Sequence, residues 1–157
     1  MRIVLIQTDK TQDSYIAEGV DIYLKRLKNY TKLDTVTINV PKAVRQRSAA
    51  EQKAAEAELI LKHKQQGDQL VLLDEKGTGM TSREFSGFIA GRQVSSVKRL
   101  LFVIGGPYGF HASVYAEANN KISLSKMTFS HQMVRLFFME QLYRAFTIIR
   151  GEKYHHD

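Results

Sequence analysis

The chain has 157 residues, is 43% hydrophobic and 25% charged, and carries a formal net charge of +7. Its length argues for one domain over 1–157, and its basic balance favours polyanionic partners, nucleic acid above all. The lack of cysteine excludes a disulfide framework and a thiolate metal site. No run of about eighteen apolar residues offers a membrane span, and Met1-Arg2-Ile3-Val4-Leu5-Ile6 meets polar residues too soon for a signal peptide. A cytoplasmic protein without a membrane partner is therefore expected.

Strand and helix signals alternate along the chain. Residues 2–7 read as a strand. Over 12–29, Tyr15, Ile16, Val20, Tyr23, Leu24 and Leu27 form an apolar stripe at helical spacing. Residues 33–40 alternate in polarity, and Pro41 ends that strand. Residues 46–66 are rich in the strong helix formers Ala, Glu, Lys and Gln. The run 69–74 is of the buried-strand type. A helix over 81–94 opens on Thr81 with Glu84 three residues on, a capping-box pattern. A strand over 98–104, a short helix over 111–118, a short strand over 121–124 and a helix over 131–150 follow. Ser130 caps the last helix and Gly151 stands past its end. This alternation predicts an α/β fold with a mostly parallel sheet and helices on both faces.

The last helix carries apolar residues around most of its circumference, from Met133 and Val134 to Ile148 and Ile149. One core-facing stripe needs fewer. Burial on two sides, with a second subunit supplying one of them, predicts a homodimer. Basic residues cluster at Lys25, Arg26 and Lys28, at Lys42, Arg45 and Arg47, and at Arg144, Arg150 and Lys153, so a phosphate-binding face is expected.

The strand over 98–104 runs into Gly105-Gly106-Pro107-Tyr108-Gly109. A glycine turn at a strand's carboxyl end admits a ligand close to the backbone. It is not a dinucleotide fingerprint. The spacing is G-G-x-x-G, the turn follows the fourth strand, and no acid stands about 20 residues on to hold a ribose. A Walker A motif is absent too. A tight structural turn explains Gly105-Gly106 alone equally well.

The segments that follow are more specific. Leu124-Ser125-Lys126-Met127-Thr128-Phe129-Ser130-His131-Gln132, then Glu140-Gln141 with Tyr143-Arg144-Ala145, then Arg150-Gly151 with Tyr154-His155, resemble the small SPOUT methyltransferases with a trefoil knot. Within them the similarity is to the ribosomal RNA large subunit methyltransferase H family. It is dense over 102–156; residues 41–66 show nothing diagnostic.

The resemblance implies one SPOUT domain over 1–157 with a C-terminal trefoil knot and two subunits paired across it. It implies methyl transfer from S-adenosylmethionine to N3 of a pseudouridine in 23S ribosomal RNA, in the ribosome. The cofactor would be held by Leu73, Gly105, Leu124, Ser125, Lys126, Met127, Thr128 and Phe129, and the catalytic residues would be Tyr154 and His155. Apolar walls and backbone hydrogen bonds suit adenine and methionine. Ser125 and Thr128 read as turn-stabilising hydroxyls or as ligand contacts, and Lys126 faces solvent or RNA. His131 reads as a base or as a structural hydrogen-bonder of the last helix. Arg135 and Arg144 read as dimer or phosphate contacts, with an ion pair to Glu140 as the plainer role for Arg144. His155 and His156, with no third ligand, argue for no metal site. The competing functions are a knotted methyltransferase acting on ribose 2′-oxygen or on transfer RNA, and a noncatalytic RNA-binding module of the ribosome.

Overall fold

Strands covered on both faces need apolar residues at consecutive positions, because neighbours point to opposite sides. The computed structural model, which describes residues 1–156, builds its sheet from such runs. β1 (Arg2–Thr8), β2 (Lys32–Ile38), β3 (Gln69–Gly79), β4 (Arg99–Ile104) and β5 (Asn120–Ser123) lie in the order β2-β1-β4-β3-β5, and each pairing is parallel. Ile3, Leu5, Val71, Leu73, Leu100, Phe102 and Ile104 face one core, covered by α1 (Ser14–Leu27), α4 (Ser82–Val94) and α6 (His131–Ile149). Val4, Ile6, Leu70, Leu72, Leu101 and Val103 face the other, covered by α3 (Ala49–Leu61) and α5 (Ala112–Glu117). The expected α/β sheet with helices on both faces is present.

Local chemistry moves several boundaries. The second strand stops at Ile38 because Asp9, in the left-handed region at φ 59°, donates its backbone N–H to Ile38 O and draws the chain aside. Pro41 ends the strand as expected but also starts a short helix, α2 (Lys42–Arg45), which the sequence did not predict. The helix expected over 46–66 is trimmed to α3 by a capping box between Ser48 and Glu51. The third strand overruns its expected end, with a register shift against β5 between Leu73 and Thr78. A Cβ at Gly77 would lie 2.6 Å from the Ile122 nitrogen, so only glycine allows that approach.

The breadth of α6's apolar surface has an explanation within one chain. The helix lies on the sheet between α1 and α4, which cover its two flanks. Phe138, Met139, Leu142, Ala145 and Phe146 are buried, and Leu136 closes over Gly19, whose Cβ would stand 2.8 Å away. Helical breadth alone therefore does not require a partner. Arg135 also departs from its expected role as a dimer or phosphate contact. It is fully buried and donates to the Thr8 carbonyl and to Thr11 Oγ1 at 3.0 Å, tying α6 to the loop after β1. No helix among the described residues is long and apolar enough to cross a membrane.

Candidate active site

β3 and β4 are neighbours, yet β3 leads to α4 on one face and β4 to α5 on the other. Such a switch point opens a crevice at the strands' carboxyl ends. There the chain encloses a cleft of about 630 Å³. Its floor is Leu73 and Ile104, its walls the glycine turn and the 123–131 segment, with Phe110, Tyr115 and Val134 completing it.

The glycine turn is packed from behind. Gly109 sits at φ +75° and donates its N–H to Gly106 O at 3.2 Å. A Cβ on Gly105 would press on the Phe110 ring at 3.0 Å, so bulk there acts on the cleft through Phe110. A Cβ on Gly106 would stand 2.6 Å from Glu56 Oε1. Glu56, on α3, is 8% exposed and accepts from the Gly106 N–H. Burial raises its pKa, the Gly106 N–H opposes that rise, and Asp9 and Arg45 act in opposite directions. Arg45 in turn pairs with Asp9, so this member of the second basic cluster is engaged within the chain.

The opposite wall is a tightly bonded loop. Ser123 Oγ donates to Ser125 O at 2.7 Å, and Ser125 Oγ accepts from Met127 N–H at 2.9 Å. Ser125 is therefore a turn-stabilising hydroxyl. Thr128 Oγ1 donates to Glu75 Oε2 at 3.3 Å and links the loop to the end of β3. Phe129 packs on Phe137 of α6, ring centroids 4.7 Å apart, and Ser130 Oγ caps that helix by accepting from Met133 N–H.

Of the cofactor residues expected from the sequence, Leu73, Gly105, Leu124, Ser125, Met127, Thr128 and Phe129 line this one cleft. Lys126 is exposed and is not among the lining residues. Tyr154 and His155 are not there either. Tyr154 lies against its own α1 and α6, with its hydroxyl 3.4 Å from that of Tyr23 and 3.2 Å from Glu140 Oε1. The Arg144 guanidinium lies 4.7 Å from the Tyr154 ring centroid, and His155 Nδ1 is 3.3 Å from Arg144 Nη1. Burial is the first cause of a strongly raised Tyr154 pKa, so its phenol stays protonated. Arg144 makes the expected ion pair with Glu140, at 2.6 Å. One chain thus does not bring the two groups of predicted site residues together. Asp157, the last residue of the tail, lies outside the described residues.

The structure adds residues the sequence reading passed over. Asp74 and Glu75 stand on the lip after β3, where the carboxyl-end rule could have found them. Tyr115 donates to Asp74, and burial followed by that bond pushes its pKa up to about 12. Lys53 and Tyr108 form the α3 side of the cleft, and no motif announced Lys53 or Glu56. His131 also lines it; burial lowers its pKa first and the Arg135 charge second, which favours a neutral imidazole.

A parallel α/β domain with a cleft at its switch point defines a ligand-binding class, and comparison with known proteins narrows it. Residues 1–155 match the family model described as "Predicted SPOUT methyltransferase". The chain is 52% identical over 157 residues to the ribosomal RNA large subunit methyltransferase H of Parabacteroides distasonis, covering 100% of both chains. It is 46% identical over 157 residues to that of Bacteroides thetaiotaomicron, again covering 100% of each. Among solved structures, a probable methyltransferase from Bordetella pertussis Tohama I superposes with a TM-score of 0.53 at 13% identity, over 92% of this chain and 96% of that one, a likeness of fold. The chain belongs to the SPOUT methyltransferases, in the ribosomal RNA large subunit methyltransferase H family.

Proposed function

We propose that this chain is a homodimeric, cytoplasmic enzyme that transfers the methyl group of S-adenosylmethionine to N3 of a pseudouridine in 23S ribosomal RNA, in the ribosome. The observation that carries the reading is one cleft at the switch point, lined by Leu73, Gly105 and the 124–129 loop, in a chain of this family. The trefoil knot belongs to the same reading. It is supported by β5 ending at the far edge beside β3 while α6 returns to pack on α1 and α4.

The cleft fits the cofactor. About 630 Å³ lies within the range of small-molecule sites, and Leu73, Ile104, Phe110 and Leu124 supply apolar surface. Asp74 and Glu75 suit a ligand whose methionine end is cationic. When bound, S-adenosylmethionine supplies an electrophilic methyl on a sulfonium. The chain's own groups do the rest. The packed glycine turn and the bonded 123–130 loop fix orientation. The pseudouridine N3 carries a proton that must leave as the N–C bond forms and the S–C bond breaks. A neutral imidazole can take it, and His155 is assigned that role, with Tyr154 hydrogen-bonding to or stacking on the base.

Because Tyr154 and His155 lie along their own α6, away from their own cleft, they serve the cleft of the second subunit in this reading. The test is incubation of the purified protein with S-adenosylmethionine and ribosomes from a strain lacking the activity, followed by mass mapping of the 23S RNA. A methyl on N3 of one pseudouridine is expected. A methyl on a ribose oxygen or on transfer RNA, or none, contradicts the reading.

A further inference from the structure

The cleft has two unlike walls. The β3 side carries Asp74 and Glu75 with Lys76, a net acidic lip that repels an RNA backbone. The α3 side carries Lys53 and Tyr108 and adds no acid to the cleft lining; Glu56, one turn further along α3, is buried under Gly106. Tyr108 is 54% exposed, although it stands on a turn held in place from three sides. Glu56 holds the Gly106 N–H, Gly109 closes back on Gly106 O, and Pro107 fixes its own φ. Lys53 has no hydrogen-bond or ion-pair partner among the described residues, unlike Lys64 and Lys25, which are paired with Glu117 and Asp21.

We propose that Tyr108 and Lys53 form a subsite for an unpaired RNA nucleotide beside the one being modified. The Tyr108 ring stacks on its base and the Lys53 ammonium meets its phosphate. A rigid aromatic platform loses little conformational entropy on binding, and an aromatic face accepts any unstacked base. A single ammonium lining the same cleft suits the adjoining phosphate. RNA therefore enters over α3 and not over the β3 lip. This rests on the methyltransferase reading above and extends it by naming where the RNA is held.

The test uses the full-length protein with saturating cofactor. It measures affinity for a short, fluorescently labelled, unpaired oligoribonucleotide, and the steady-state methylation of ribosomes. Tyr108→Ala should weaken oligonucleotide affinity and raise the ribosome KM, each by about tenfold, and by several times more than it weakens cofactor affinity. Tyr108→Phe should restore both, since stacking needs the ring and not the hydroxyl. Lys53→Ala should weaken binding and lower the slope of log affinity against log salt by about one. Unchanged affinity and KM in Tyr108→Ala overturn the proposal. So does a loss of cofactor affinity in step with RNA affinity, which would put Tyr108 in the cofactor wall. A wild-type protein whose oligonucleotide binding depends on Tyr108, but which methylates no ribosome, supports the subsite and overturns the substrate reading instead.

Discussion

The carboxyl-edge cleft and the C-terminal tail are both dense in residues that the family resemblance singles out, yet they are built in opposite ways. The cleft is held by bonds to backbone groups, made by the Gly109 N–H and by serine hydroxyls. Its turns close on Gly106 O, on Ser125 and on the Ser130 cap, and Leu73, Ile104, Phe110 and Leu124 give it apolar surface. The tail is held by side chains, Tyr154 against Tyr23 and Glu140, and His155 against Arg144. Such bonds give a cleft whose lining comes from one chain. Side-chain docking along α1 and the body of α6 holds a segment that lies outside the cleft. The difference teaches that the cleft and the tail are separate features of one chain.

The largest effect should come from the turn. In Gly105→Val, the Cβ meets Phe110 at 3.0 Å and its methyls drive that ring into the cleft. Calorimetry on the folded protein should show S-adenosylmethionine affinity lost by about a hundredfold or more. Deleting 154–157 should lower methyl transfer to ribosomes by about a hundredfold, at the lower end of what a lost general base costs. Cofactor Kd should stay within about twofold, because Tyr154 and His155 are not among the residues that line the cleft. Loss of cofactor binding on truncation would break the separation.

A smaller effect is expected behind the turn. Glu56→Ala leaves the Gly106 N–H without its acceptor and should weaken cofactor affinity about tenfold, whereas Glu56→Gln keeps an acceptor and should restore most of it. The sign of the pH dependence follows from the raised pKa. The protonated carboxyl is the form that folding favours, so its stabilisation is full below the unfolded pKa and is lost as pH rises through the folded one. The Tm of Glu56→Gln should therefore exceed that of the wild type near neutral pH, and the gap should close as pH falls toward the ordinary carboxyl value. Asp9 and Arg45 are the charged groups that surround it, and their pairing should shift the curve without reversing it. The smallest effect should be that of Lys126→Ala. This exposed residue lies outside the cleft lining, so isothermal titration should find cofactor affinity within about twofold of wild type.

Most of the frame was legible because apolar runs and capping residues are local signals. The five strands, the Thr81 and Ser130 caps and the two-faced sheet all follow from short segments. What escaped was non-local. Arg135 reads as a functional cation until Thr8 and Thr11 are brought to it across more than 120 residues. The breadth of α6 reads as burial against a partner, and α1 and α4 already cover its flanks within one chain. Glu56 and Lys53 sit in a helix whose composition announces only helicity, and their meeting with the glycine turn depends on β4 emerging beside α3. The cleft's glycine turn and hydroxyl loop were visible as motifs. Their distance from the tail within one chain was not, because spacing along the chain does not say which residues fold against one another.

Mixing two defective chains tests that division most directly. A Gly105→Val chain retains the tail and has a blocked cleft; a chain lacking 154–157 retains the cleft. Each homodimer should be inactive on ribosomes. After unfolding and refolding together in equal amounts, half the dimers pair the two, and each such dimer holds one intact cleft served by an intact tail. The mixture should recover roughly a quarter of wild-type methyl transfer. No recovery from a mixture shown to contain heterodimers, or full activity in the truncated homodimer alone, would contradict a site assembled from two copies.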